Sequence, residues 1–128
     1  MTIPLPGQAV RGSKSGSPIM AMFDLLGRRW AMGVLWTLSR QGPCTFRALQ
    51  SACESISPGV LSARLKELQA AGFVSRQAEG YQVTELGRAV YEALIPLSVA
   101  SKHWATWLST QRGDDNTTPD EPTVAGNE

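Results

Sequence analysis

The chain has 128 residues, 42% of them hydrophobic and 18% charged, which is typical of one globular domain. Its two cysteines exclude a disulfide framework, and no apolar run approaches the roughly 18 residues of a membrane span. We therefore expect a cytoplasmic protein with no membrane partner and no signal peptide. The net charge of +1 conceals an uneven distribution: residues 25–78 carry seven basic and two acidic side chains, whereas residues 113–128 carry five acids and no base. The basic middle suits a polyanionic partner, and an ordinary solvated surface is the alternative.

The first predicted elements are a flexible arm and two helices. Residues 1–16 are rich in Gly, Pro and Ser and predict the arm. Ser17-Pro18 suits the N-cap and first position of a helix that ends at Gly27. Its apolar side chains follow the spacing i, i+3, i+4, i+7: Ile19, Met22, Phe23 and Leu26. A second helix is predicted from about Arg28 to Gln41, before the stop at Gly42-Pro43. Its apolar stripe has three members: Trp30, Val34 and Leu38.

Residues 57–74 are the most informative stretch. Ser57 suits an N-cap, Pro58 the first helical position, and Gly72 the left-handed residue that follows a helix. Between these stops lies one apolar stripe: Leu61, Leu65 and Leu68. The opposite face is small, polar or basic: Gly59, Ser62, Ala63 and Lys66. A helix with its back in a core and such a front can enter the major groove of DNA.

Shorter elements flank that helix. A strand stub at residues 44–46 and a short helix precede it, and the short helix depends on three positions: Phe46, Leu49 and Cys53. Residues 73–76 and 81–83 predict two strands joined by a tight turn at 77–80, in which Gly80 is available for a positive φ.

A long terminal helix follows Thr84, which suits its N-cap, and Pro96 is expected to kink or interrupt it. The second half of this helix carries an apolar seam: Leu97, Ala100, Trp104, Trp107 and Leu108. The seam either covers the monomer's own core or forms a dimer interface together with the helix at 19–26. Two tryptophans so near one end favour the dimer. From Gly113 onward the composition predicts a disordered acidic tail.

The order of elements is helix, helix, strand stub, helix, helix, hairpin, helix. It predicts a mainly α fold with a small β-hairpin. We interpret residues 17–112 as a winged helix-turn-helix domain with extra N- and C-terminal helices for dimerisation.

Four motifs resemble the HxlR-type winged-helix transcription regulators, relatives of the MarR group, and the resemblance spans residues 17–108. Residues 24–30, DLLGRRW, are similar to the family's DLIGGKW, and residues 42–50 to its GPxRFxELQ. Residues 56–68, ISPGVLSARLKEL, are similar to ISxxxLSxRLxEL, and residues 83–88 to LTxxGx. The resemblance implies DNA binding and dimerisation through the terminal helices.

Three departures from the family pattern bear on mechanism. Ser17 stands where many members have a cysteine, which in some members senses oxidants or electrophiles, so that chemistry is not expected here. The turn at 77–80 is shorter than the usual wing and carries Glu79. Gly59 occupies a position that is often basic or polar in the family.

We predict DNA contacts from the helix at 57–71 and its neighbours: Arg47, Ser57, Pro58, Gly59, Ser62, Ala63, Arg64, Lys66 and Arg76. Arg64 lies at the edge of the leucine stripe, so a phosphate contact and an internal ion pair are equal alternatives. Arg28 and Arg29 are expected at a helix start, either beside the DNA backbone or simply on the surface.

These features predict a sequence-specific transcriptional regulator that binds a pseudo-palindromic DNA site as a homodimer. A winged-helix module for protein–protein contact is one alternative. A regulator responding to a small apolar ligand near Trp30, Trp36 or the dimer seam is another. No enzymatic arrangement, metal-ligand spacing or cofactor motif is recognisable, since His103 is the only histidine. Cys44 and Cys53 are expected to be buried rather than redox-active.

Overall fold

The computed structural model describes residues 2–113. Within that range it contains five helices and two strands: α1 (Pro18–Leu26), α2 (Ala31–Gln41), α3 (Phe46–Ala52), α4 (Pro58–Ala70), β1 (Val74–Gln77), β2 (Gly80–Val83) and α5 (Glu85–Gln111). The predicted winged helix-turn-helix, mainly α with one hairpin, is confirmed. The chain divides inside α5, between Ala89 and Val90, into two compact units. Beyond Gly113, the predicted acidic tail lies outside the described residues.

Helix α2 is the centre of the first unit. It packs against α1, α3, α4 and β2. The most deeply buried large side chains of the described residues come from three helices: Val34, Leu35, Leu38, Leu49, Leu61, Leu65 and Leu68. The predicted leucine stripe of α4 is therefore confirmed as core. Its burial removes apolar surface from water and fixes which face of α4 remains outside.

The start of α2 differs from the sequence prediction. The helix begins at Ala31 rather than near Arg28, because Trp30 has a left-handed backbone with φ 72°. Bulky residues rarely adopt this left-handed backbone conformation. Arg28, Arg29 and Trp30 instead form a turn, which the Ala31 N–H closes by donating to the Arg28 carbonyl at 2.9 Å.

Helix α1 begins at Pro18 as predicted, but the expected capping by Ser17 is wrong. The Ser17 side chain makes no capping hydrogen bond. Ser17 still occupies the N-cap position, and its backbone carbonyl accepts the Ala21 N–H at 3.0 Å, but its hydroxyl satisfies none of the free N–H groups of the first turn.

The hairpin is antiparallel and pairs Val74 with Val83 at its base. Strand β1 is shifted by one residue from the predicted range, β2 begins one residue earlier than predicted, and the turn is formed by Ala78 and Glu79. Gly80 has φ 140°, and a side chain there would collide with the carbonyl of Cys44. The close approach permits a single strand-like bridge, with the Tyr81 N–H donating to the Cys44 carbonyl at 2.8 Å. The predicted stub is thus one bridge, and it ties the hairpin to the start of α3.

Residues 2–16 follow a hydrogen-bonded path beside α1. The Gly7 N–H donates to the Gly16 carbonyl at 2.8 Å, and Val10 forms a bridge with Ser13. The Arg11 N–H donates to the Asp24 carboxylate at 3.1 Å. The flexibility expected for this arm stays a prediction.

Helix α5 begins as predicted. Thr84 Oγ1 accepts a bond from the Gly87 N–H at 3.0 Å and donates to the Gly72 carbonyl at 2.6 Å. Pro96 lies inside the helix without ending it, which excludes an interruption; the kink, the other expected outcome, stays a prediction. Among the residues that the structure describes, no helix combines the length and apolarity needed to cross a membrane.

Candidate nucleic-acid interface

Helices α3 and α4 form the helix-turn-helix, and each has a side-chain cap. Thr45 Oγ1 accepts the N–H three residues on at 3.1 Å, and Ser57 Oγ does the same at 3.2 Å. Between the helices, Gln50 Nε2 donates to the Ile56 carbonyl at 3.4 Å. The predicted cap at Ser57 is confirmed, and the start of α4 is fixed by hydrogen bonds.

The C-terminal end of α4 is closed by a Schellman motif. Gly72 has φ 89° and donates its N–H to the Gln69 carbonyl at 3.0 Å. The Phe73 N–H reaches back to the Leu68 carbonyl at 2.9 Å. This pattern satisfies the last carbonyls of the helix and turns the chain into β1. With both ends capped and its stripe buried, α4 is a well-defined element for presenting side chains.

The predicted contact face of α4 points away from the core. Three of its members at the helix start are exposed: Ser57, Pro58 and Gly59. Lys66 is also exposed, whereas Ser62 and Ala63 are half-buried. A Cβ built on Gly59 would meet nothing within 4 Å, so the space before it is open. The first turn carries no acidic residue, which leaves the positive end of the helix dipole unopposed.

Arg64 is held by an internal ion pair, one of the two alternatives that the sequence left open. Its Nη1 lies 3.3 Å from Glu67 Oε1, and Arg28 Nη1 lies 3.0 Å from Glu67 Oε2. Glu67, which both arginines contact, is only 9% exposed. Arg28 also donates weakly to the Thr2 carbonyl, at 3.4 and 3.5 Å.

The remaining predicted cations stand on other elements. Arg47 is exposed on the first turn of α3. Arg76 is exposed on β1, with its guanidinium carbon 5.3 Å from the ring centroid of Tyr81, its cross-strand partner. Two exposed acids accompany them: Glu79 at the tip of the hairpin and Glu54 in the turn before α4.

The predicted dimer residues of α1 do not share one environment. Ile19 and Phe23 are 54% and 59% exposed, Met22 is half-buried, and Leu26 is buried in the core. Helix α1 therefore exposes two of the four predicted side chains, and the predicted stripe of four is not continuous on its surface.

In the second unit, the predicted seam on α5 is largely exposed. Leu97, Trp104 and Trp107 are 57%, 63% and 56% exposed, Ala100 is exposed and Leu108 is half-buried. Clusters of exposed apolar side chains of this kind are typical of interaction sites.

An apolar groove of about 280 Å³ lies in the first unit. Its walls come from the N-terminal segment, α1, the end of α4 and the start of α5: Ile3, Pro4, Leu5, Pro6, Pro18, Ala21, Met22, Leu25, Ala70, Ala71, Phe73 and Leu86. Trp30 and Trp36, where the sequence suggested a ligand cavity, do not line it. This groove could not be predicted from periodicity, because four of its residues belong to the segment read as a flexible arm.

The surroundings of the two thiols disfavour the reactive thiolate form. Cys53 is buried and Cys44 is half-buried, as the sequence predicted for Cys53. Burial raises the pKa of both thiols, and the Cys53 thiol further raises the pKa of Cys44. A hydrogen bond with Thr37 partly offsets the rise in the pKa of Cys53. Within residues 2–113 no three His, Cys, Asp or Glu side chains gather as a metal site would need.

Comparison with known proteins places this arrangement in a family. The profile described as HxlR-like helix-turn-helix matches residues 25–109. The chain belongs to the HxlR-like helix-turn-helix family. The match covers α2 to α5, which includes both capped helices and the hairpin, and it confirms the predicted resemblance.

Relatives of this HxlR-like protein are transcriptional regulators. The uncharacterized HTH-type transcriptional regulator YybR of Bacillus subtilis (strain 168) is 30% identical over 72% of this chain and 75% of its own. Quinone-bound YodB from B. subtilis is 33% identical, covering 69% of this chain and 94% of that one, with a TM-score of 0.57. A protein assigned to the MarR family from Enterococcus faecalis V583 is 25% identical over 76% and 90% of the two chains, with a TM-score of 0.59.

Proposed function

We propose that this HxlR-like regulator binds double-stranded DNA sequence-specifically as a homodimer, with α4 in the major groove. The observation that carries the proposal is the contrast between the buried and the exposed face of α4. Its leucine stripe is fully buried, while Ser57, Gly59 and Lys66 face solvent from a helix capped at both ends. A recognition helix must present its N-terminal residues to base edges in this way.

Charge supports the same orientation. Lys66 and Arg47 are exposed on the two helices of the helix-turn-helix, and Arg76 is exposed on the hairpin. Cations so spread can neutralise phosphates on either side of the groove. Glu79 at the hairpin tip opposes a close approach of the tip to DNA, so the proposed contacts centre on α4 and α3.

The homodimer is supported by the exposed seam on α5. Trp104 and Trp107 are more than half exposed, and a two-fold partner would cover such a patch on both subunits at once. A two-fold dimer of helix-turn-helix units reads two half-sites about one helical turn, roughly 34 Å, apart. The expected operator is therefore pseudo-palindromic.

The test is a binding series with the Ser62→Ala, Lys66→Ala double variant. DNA is first selected by the wild-type protein from random oligonucleotides, and binding to the selected and random fragments is measured at several salt concentrations. Losing Lys66 is expected to weaken binding to both kinds of fragment and to reduce the salt slope by about one unit per protomer, because one phosphate contact is lost. Losing Ser62 is expected to weaken binding to the selected fragment more than binding to the random one.

A matched control removes an exposed lysine and serine from the N-terminal segment, Lys14→Ala with Ser15→Ala, and should leave both affinities unchanged. Unchanged binding in the Ser62, Lys66 variant with the fold intact would reject this docking. A wild-type protein that selects no DNA would favour the protein–protein module instead.

A second candidate function, response to a small apolar ligand, is favoured by the groove beside α1. YodB, a structural relative, has been crystallised with a quinone bound. The groove volume of about 280 Å³ is near the lower end of ordinary ligand pockets. Binding of 2-naphthol, followed by calorimetry, tests this candidate. Ala70→Phe should abolish the binding by filling the groove, whereas Ala105→Phe, on the exposed surface of α5, should not.

A further inference from the structure

The proposed DNA contacts leave one cluster of charged groups unused: Arg28, Arg64 and Glu67. Both carboxylate oxygens of Glu67 face guanidinium groups, at 3.0 Å from Arg28 and 3.3 Å from Arg64. The two arginines come from different places, the turn before α2 and α4 itself. The cluster therefore joins the proposed recognition helix to a fixed part of the core by charge as well as by packing.

Its position on α4 is distinct from the contact face. On a wheel of roughly 100° per residue, Glu67 lies about 120° from Leu61 in one direction, whereas Ser62 and Lys66 lie about 100° and 140° from Leu61 in the other. Arg64 lies between Glu67 and the leucine stripe, and its side chain is 18% exposed. A basic side chain on the proposed recognition helix is thus turned inward and paired with a carboxylate.

Burying these charged groups costs free energy, which a purely structural role does not explain. Glu67 is 9% exposed, and Arg64 Nε and Glu67 Oε1 are buried without a hydrogen-bond partner among the described residues. Apolar side chains of similar volume often replace such clusters with no loss of stability. The cluster is better explained by a role in setting the orientation of α4 or the position of the Arg64 charge.

We infer that Glu67 is a positioning residue for DNA recognition, an inference that rests on the proposed function. Through Arg28 it fixes the orientation of α4, and through Arg64 it withholds a guanidinium from the phosphates. Glu67 then sets the ratio between operator and random-DNA affinity. Without it, Arg64 becomes a further phosphate contact, which adds affinity for every sequence alike.

The experiment compares Glu67→Gln with Arg28→Met on the selected and random fragments. Glu67→Gln frees Arg64, so random-DNA binding should tighten and its salt slope should steepen by about one unit per protomer. The ratio of selected to random affinity should fall about tenfold, the worth of one disturbed base contact. Arg28→Met leaves Arg64 paired, so it should lower that ratio without steepening the slope.

A purely structural role predicts a different result. Both variants would then unfold at lower denaturant concentration, with the wild-type affinity ratio and salt slope retained, and this result would overturn the inference. If Glu67→Gln does not fold, Arg64→Gln with Glu67→Gln removes the buried charge pair. This double variant should keep the wild-type slope and still lose discrimination, and a retained ratio would also overturn the inference. Failure of the wild-type protein to select DNA is a separate outcome, because it rejects the proposed function itself.

Discussion

Helix α4 and the second half of α5 carry similar apolar stripes in opposite surroundings. Leu61, Leu65 and Leu68 on α4 are at most 1% exposed, whereas Trp104 and Trp107 on α5 are 63% and 56% exposed. Helical periodicity sets which face is apolar in both cases. It does not say what covers that face. For α4 the cover is α2 of the same chain, and for α5 we predict that it is a second copy.

The largest expected effect is at α5. Trp104→Ser with Trp107→Ser should convert the dimer to monomer, because each buried tryptophan contributes a few kcal/mol at roughly 25 cal/mol per Å². Sedimentation equilibrium measures the mass. Ala105→Ser with Thr106→Ser, adjacent but off the seam, should remain dimeric. A well-folded dimer of the tryptophan variant would remove the assignment of this face.

The next effect is at the covered stripe. Leu65→Ala should lower the free energy of unfolding by about 2–5 kcal/mol, because it leaves a cavity beside α2. Lys66→Ala, one residue on and exposed, should change the unfolding free energy by less than about 0.5 kcal/mol. Urea titration gives both values. Equal losses in the two variants would mean that the two faces of α4 are not distinguished in solution.

A smaller effect separates two serines that look alike in sequence. Ser57→Ala should cost about 1 kcal/mol, since its hydroxyl caps α4. Ser17→Ala should cost little, because Ser17 makes no capping bond to α1. Thermal denaturation of the two variants checks the difference. Comparable losses would show that Ser17 caps its helix in solution.

The smallest expected effect is at the thiols. Burial raises the pKa of Cys44 and Cys53 above the ordinary value of 9.0, so little thiolate exists at neutral pH and mild peroxide should not change DNA binding. The same shift means that the thiols favour folding fully below pH 9 and that this contribution is lost as pH rises further. A loss of DNA binding that a reductant restores would identify a sensor cysteine.

Much of the fold follows from local sequence signals. The caps at Ser57 and Thr84, the stop at Gly72 and the leucine stripe of α4 all depend on residues a few positions apart, and the structure confirms them. Tight hairpin geometry is similarly local, and the strand ranges differ by one residue only. The motifs around residues 56–68 identified the family for the same reason.

The features that local sequence patterns did not predict depend on residues that are distant in the chain. Trp30 has a left-handed backbone in the turn before α2. Glu67 is buried where Arg28 of the same turn contacts it. Arg64 and Glu67 have the i, i+3 spacing of an ion pair, which could have suggested their pairing. Nothing local indicates that Arg28 joins them, because it is far away in the chain.

The hairpin has a fixed base and a free tip. Val74 is buried at the base, and Gly80, directly after the turn, is wedged against Cys44, while Ala78 and Glu79 are exposed and make the whole turn. Insertions at exposed tips disturb few contacts. Wing length can therefore change during evolution, or by loop grafting, without remodelling the helices below. If the chain binds DNA as proposed, a longer, basic loop inserted at this tip would extend the contact surface along the duplex while α4 stayed in place.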